Sequence, residues 1–167
     1  MAIVTLAPPL ADDLARRPAL FDALIDRSAH DLPESVPALQ RAMQRAEPRG
    51  NYEALLDRIR VVTGEARFAL GVQLISGTHD PLEIAHGFAV VAEAALQTAL
   101  AGTVAEFAKA HGTIEGSEMV ILGLGRLGGE ALTHASDLDI IYLFTGDHGA
   151  ESDGERPLSA TRYYNRL

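Results

Sequence analysis

The stretch GLGRLGGEALTHASDLDII, residues 123–141, opens as Gly123-x-Gly125-x-x-Gly128 and closes on Asp137-Leu138-Asp139. The glycines match the phosphate turn of a dinucleotide-binding crossover. The carboxylates match a metal-assisted nucleotidyl-transfer site. The two readings demand different folds. A dinucleotide site needs a strand, the glycine turn, a full crossover helix and a second, parallel strand, with a ribose-binding acid about 20 residues on. Here only 13 residues, 125–137, separate two apolar runs, and the acids stand at the start of the second run. The glycine turn consumes five of those residues, which leaves too little chain for a crossover helix.

The nucleotidyl-transfer reading fits the spacing. Asp137 and Asp139 stand at i and i+2, so in a strand their side chains share a face while Leu138 and Ile140 turn toward a core. Paired carboxylates suit Mg²⁺, which prefers carboxylate and phosphate oxygens. A two-metal clamp stabilises both the attacking oxygen and the departing pyrophosphate. Glycines let backbone N–H groups approach a triphosphate closely. Two plainer readings of the same residues stand beside it: an Asp pair solvated at a strand edge, and Gly128-Gly129 as an ordinary turn.

Outward from this stretch, EMVILGL (118–124) and LDIIYLF (138–144) are short, apolar and bounded by Gly or Asp, which predicts two strands. TGDHGAESDGERP (145–157) reads as a loop, and LSATRYYNRL as the first turns of a helix. Upstream, the first 110 or so residues carry helical periodicity. Two short helices are expected to meet at Pro18, and another follows Pro33. A long helix is expected over 52–76, with Leu55, Ile59, Val62 and Ala66 on one stripe and Gly77 as its stop. A second is expected over 81–111. Asp80 is its N-cap, Pro81 its first residue, Glu83 the partner in a capping box, and Gly112 its end. Ile84, Phe88, Val91, Ala95, Leu100, Val104 and Phe107 trace its apolar stripe. The expected division is a helical region over 1–112 and, over 113–167, the N-terminal part of a second domain, cut inside that domain.

The bulk numbers narrow the function classes. The 167 residues are 47% hydrophobic, enough for a real core, and carry a net charge of -9. That balance argues against non-specific nucleic-acid binding, which draws on Lys and Arg. The absence of Cys excludes disulfides, thiolate zinc sites and Cys nucleophiles. A cytoplasmic location is expected, with no signal peptide. Residues 87–105 are long enough to span a bilayer, but Glu93 and Gln97 interrupt them and favour a packed helix over a membrane span. Among His30, His79, His86, His111, His134 and His148 no pair has the i, i+4 spacing of a helical zinc site. His134 could touch a nucleotide but reads rather as a solvated loop residue; Arg156 and Arg162 could contact phosphate but read as solvated; Asp153-Gly154 could line a site, with a plain turn as the default; and Tyr142, Tyr163 and Tyr164 read as core or helix-face residues rather than stacking platforms.

Gly125, Arg126, Leu127, Gly128 and Gly129, followed after a small polar spacer by Ser136, Asp137, Leu138 and Asp139, resemble in order the signature of the glutamine synthetase adenylyltransferase family. Arg126 stands where Lys is also common. LARRPALFDALID upstream and SDGERPLSATRYYNRL downstream resemble the flanks of that family's adenylylating half. The resemblance implies an α+β chain: an N-terminal helical region, then the start of a polymerase-β-like nucleotidyltransferase domain with a mixed sheet. It implies transfer of AMP from ATP to a Tyr hydroxyl of glutamine synthetase, and so a role in nitrogen metabolism. Asp137 and Asp139 would bind Mg²⁺; Gly125, Arg126, Gly128, Gly129 and Ser136 would hold the nucleotide; a third carboxylate would come from a later strand. Glutamine synthetase and a nitrogen-signalling protein are the implied partners. Phosphorolytic AMP removal, which uses a similar motif in the family's other half, and a non-catalytic helical interaction module are the alternatives.

Overall fold

The computed structural model describes residues 8–20, 31–45 and 51–167. Among the described residues four helices precede a small sheet: α1 (Pro8–Arg16), α2 (Val36–Gln44), α3 (Tyr52–Ser76) and α4 (Pro81–His111). Strands β1 (Glu118–Gly123) and β2 (Ile140–Thr145) flank the one-turn helix α5 (Gly125–Gly128), and the short helix α6 (Ala160–Tyr164) follows. The chain is α+β and mostly helical. The second short helix expected beyond Pro18 falls largely outside the described residues.

The two long helices begin and end where local chemistry dictates. Asn51 caps α3 by accepting the Ala54 N–H, and Gly77 closes it in the left-handed conformation. At α4 the Asp80 carboxylate accepts the Leu82 N–H, Glu83 reaches back to the Asp80 N–H, and Pro81 occupies the first turn. The four-residue connection turns the chain back on itself. Tyr52 at the start of α3 bonds Thr103 near the end of α4, 2.8 Å between oxygens, so the helices run antiparallel.

Leu70 of α3 packs with Ile84, Phe88, Ala89 and Val91 of α4. The backbone of Gly87 approaches so closely that a Cβ there would lie 2.9 Å from a Leu70 methyl. Helix α2 fills the groove with Met43, against Val62 and Ala94, while Leu10 of α1 meets Phe68. Helix α4 is long and apolar enough to cross a membrane by length and composition. In this fold its Ile84, Phe88, Val91 and Ala94 are buried against protein.

Strands β1 and β2 pair antiparallel, Glu118 opposite Thr145 through Gly123 opposite Ile140. Among the described residues the sheet has these two strands alone, where the sequence reading expected a mixed sheet. A second small core forms at the far end of α4, where Ile114, Ala160 and Tyr163 gather Phe107, Phe144 and Leu158. The polar segment after β2 docks there. Asp153 and Gly154 donate backbone N–H groups to Thr113 and His111, and Arg156 to Ala110. Asp153-Gly154 is therefore an anchor for the end of α4, with the Asp153 carboxylate accepting the Thr113 N–H at 2.6 Å.

Candidate functional site

Every residue singled out between the glycines and the acids lies in the one connection, residues 124–139, that joins β1 to β2. Because the strands are antiparallel, this is a hairpin connection, and the parallel dinucleotide crossover is excluded for it. The glycine turn is wound tightly. Gly128 donates to the Leu124 carbonyl at 2.9 Å, Gly129 to Gly125 at 3.1 Å, and Ala131 to Arg126 at 2.9 Å. The N–H groups of Gly128 and Gly129 are thus engaged within the turn itself.

Two glycines have reasons of their own. Gly125 has φ +52°, and a side chain there would run into the Asp139 carboxylate. At Gly128 a Cβ would stand 2.5 Å from the Gly123 carbonyl oxygen. The sequence reading missed Glu130, a non-glycine at φ +52° just after the turn. Its carboxylate lies 2.9 Å from His86 Nδ1 of α4. A cavity of about 330 Å³ opens there, lined among others by His86, Glu93, Gln97, Ile121, Gly128 and Glu130.

Ser136 closes the turn before the acids. Its hydroxyl accepts the Thr133 N–H at 2.9 Å and lies 2.8 Å from the Thr133 hydroxyl, while its own N–H donates to the Thr133 carbonyl. Arg126 Nη1 is 3.4 Å from the same Ser136 hydroxyl, so the guanidinium reaches back over the connection. Asp137 and Asp139 are exposed and stand in the irregular residues just before β2, which starts at Ile140 rather than at Leu138. The pairing ladder runs out at Gly123–Ile140, with one further bond from the Leu124 N–H to the Asp139 carbonyl at 2.8 Å. Leu138, expected to turn into a core, is 41% exposed. The Asp139 carboxylate rests against Gly125, which brings the glycine turn and the second acid together.

His134 corrects the sequence reading, which took it as solvated. Its ring stands edge-on to Phe88, and its Nε2 is 3.3 Å from an Asp13 carboxylate oxygen. Burial and then the nearby Arg67 charge lower its pKa, and Asp13 only partly opposes them. Tyr163 is buried as expected; burial raises its pKa, and its hydroxyl donates to the Gly112 carbonyl. Tyr142 is 58% exposed, outside any core. Among the described residues no group of three or more His, Asp or Glu side chains is placed to hold a metal ion. Asp139 beside the glycine turn, with Asp137 two residues before it, supplies carboxylate oxygens of the kind Mg²⁺ takes together with substrate phosphates and water.

A helical bundle bearing a glycine-rich hairpin connection with a carboxylate pair defines an α+β protein distinct from the parallel dinucleotide-binding class. The chain belongs to the glutamate-ammonia ligase adenylyltransferase family, whose model matches residues 1–167. It is 40% identical over 167 residues to a bifunctional glutamine synthetase adenylyltransferase/adenylyl-removing enzyme of Mesorhizobium japonicum, covering 99% of this chain and 17% of that protein. It is 39% identical over the same shares to a protein so named from a Bradyrhizobium strain. It is 34% identical over 169 residues to another from Agrobacterium fabrum, covering 100% of this chain and 17% of the relative. The chain thus spans about a sixth of the length of these relatives.

Proposed function

We propose that this chain carries part of an adenylyl-transfer site that moves AMP from ATP to a tyrosine hydroxyl of glutamine synthetase. The observation that carries the reading is the seat of the Asp139 carboxylate on Gly125, which sets the glycine turn beside the second of the two acids. The relatives' names supply the substrate protein and the adenylyl group. In the reaction the tyrosine oxygen bonds to the α-phosphorus of ATP, the bond from that phosphorus to the bridging oxygen breaks, pyrophosphate leaves, and the phenolic proton passes to water. Asp137 and Asp139 would hold Mg²⁺, which supplies charge stabilisation for the phosphoryl group and the departing pyrophosphate. Arg126, fixed over Ser136, adds a positive charge for the phosphates. Gly125, Gly128 and Gly129 keep the turn free of side chains, so that a triphosphate can lie against backbone. Ser136 holds the acids at the end of a closed turn.

Phosphate-dependent removal of AMP is the second reading, because the relatives' names join both activities. The test is the full-length protein that contains this segment, carrying Asp137→Asn, which keeps shape and removes a metal-binding charge. ATP-dependent attachment of AMP to glutamine synthetase is expected to fall by about 100-fold or more while phosphate-dependent removal persists. Loss of removal with attachment intact would assign the segment to the opposite activity. Retention of both would leave the helical interaction module as the reading.

A further inference from the structure

The connection that carries the acids is fastened to the helical bundle as well as to the strands. Leu132 is 3% exposed and shares its core cluster with Leu70, Ile84, Phe88 and Val91 of α3 and α4. Two residues on, His134 is clasped from several sides. Arg67 of α3 donates from Nη2 to the His134 carbonyl at 2.6 Å. Asp13 of α1 faces the imidazole Nε2 at 3.3 Å. Phe88 of α4 meets the ring edge-on, with centroids 6.2 Å apart. Gly71 of α3 lies alongside: a Cβ there would crowd the Leu10 methyls at 2.7 and 3.1 Å and stand 3.4 Å from His134 Cδ2. Three helices therefore converge on a single loop residue.

From His134 to Asp137 the chain is short and stitched. The bonds between Thr133 and Ser136 close the turn around His134, so a displacement at His134 is passed on to Asp137. Beyond Asp137 the next anchor is Asp139, held by Leu124 and Gly125. Asp137 is thus suspended between one anchor on the helices and one at the end of the sheet. The same surroundings lower the His134 pKa, through burial first and the Arg67 charge second, with Asp13 working against them.

We propose that Arg67 and His134 are positioning residues for the carboxylate pair, through which the helical bundle sets where Asp137 stands relative to Asp139. The inference rests on the adenylyl-transfer reading above. Each acts by holding the loop that carries the acids, as outer partners hold the ligands of a metal site. The helices then serve as the platform of the site, and a movement of α1 or α3 changes the separation of the two acids.

The experiment uses the full-length protein with Arg67→Met, Arg67→Lys and His134→Ala, and Asp137→Asn as control. Three quantities are read: the Mg²⁺ concentration for half-maximal AMP transfer, the KM for glutamine synthetase, and amide hydrogen exchange across residues 118–145. Arg67→Met and His134→Ala are expected to raise the Mg²⁺ requirement about tenfold or more, with the KM for glutamine synthetase unchanged. Thr133 and Ser136 amides should exchange faster while the β1–β2 ladder stays protected, and Arg67→Lys should recover part of the loss. His134→Ala leaves the Arg67 contact to the main-chain carbonyl intact, so it answers the question if Arg67→Met does not fold. An unchanged Mg²⁺ requirement with unchanged loop exchange overturns the inference. So does faster exchange spread evenly over the chain, which would mean the contacts serve general stability. Full activity of Asp137→Asn would instead sink the adenylyl-transfer reading, and the exchange pattern would still decide whether Arg67 and His134 hold the loop.

Discussion

The helical bundle and the hairpin bury their apolar residues to very different degrees. Phe68, Leu70, Ile84 and Val91 are at most 1% exposed. In β2, Ile141 is 45%, Tyr142 58% and Leu143 48% exposed, so both faces of that strand meet solvent. The bundle can order itself by burial, since each fully buried aliphatic or aromatic side chain contributes about 1.5–3 kcal/mol. A lone two-stranded hairpin is marginal at best in water. This one is braced at both ends, by Leu132 in the bundle core and by Phe144 against the Tyr163–Tyr164 cluster. Stability resides in the helices, and the candidate chemistry hangs on a hairpin that borrows it.

The sharpest way to break that comparison is a pair of truncations in the 167-residue chain. Phe88→Ala should cost about 3–5 kcal/mol in denaturant unfolding, because it opens a cavity in a closed core. Ile141→Ala should cost under about 1 kcal/mol, as expected for an exposed position. Similar costs for the two would mean that the sheet is as self-sufficient as the bundle.

A smaller contrast lies inside the connection. Gly125→Ala places a Cβ at positive φ and against the Asp139 carboxylate, and should cost about 1–3 kcal/mol. Gly129 has φ -90°, and a Cβ there would meet only the Gly125 carbonyl oxygen at 3.4 Å, so Gly129→Ala should change stability by less than about 0.5 kcal/mol. Thermal unfolding of both variants checks this, and equal effects would remove the special role of Gly125.

The smallest effect is one of pH. Because the folded-state pKa of His134 lies below its ordinary value near 6.5, the folded chain binds fewer protons than the unfolded one. Its contribution is complete above that ordinary value and is lost as pH falls from there through the folded pKa. Unfolding free energy measured between pH 7.5 and pH 5 should therefore decline, and His134→Gln should flatten part of the decline. An acid slope identical in the variant would count against burial of this ring.

The parts of the molecule that were legible in the sequence are those fixed by neighbours along the chain. Asp80, Pro81 and Glu83 announce the start of α4, and Gly77 the end of α3, because capping is local chemistry. The absence of a dinucleotide crossover followed from arithmetic, since the connection is too short for a crossover helix, but the antiparallel pairing itself was not foreseen. What escaped depends on chain pairing or distance. The β2 ladder stops at Ile140 because Gly123 opposite it is the last residue of β1 to pair, which moved both acids out of the strand. The left-handed Glu130 sits beside Gly129, the residue that sequence logic would choose for such a conformation. The grip on His134 comes from Asp13 and Arg67, far away in sequence, and no periodicity in the chain betrays it.

The most direct test of the account is a titration of the 167-residue chain with ATP, followed by backbone amide NMR with and without Mg²⁺. If the hairpin connection is the nucleotide and metal surface, weak binding should appear with Mg²⁺ present. The shifts should concentrate in residues 124–139, and both chelation and Asp137→Asn should abolish them. Metal-independent shifts centred elsewhere, or no response at millimolar ATP, would contradict the assignment of Asp137, Asp139 and the glycine turn.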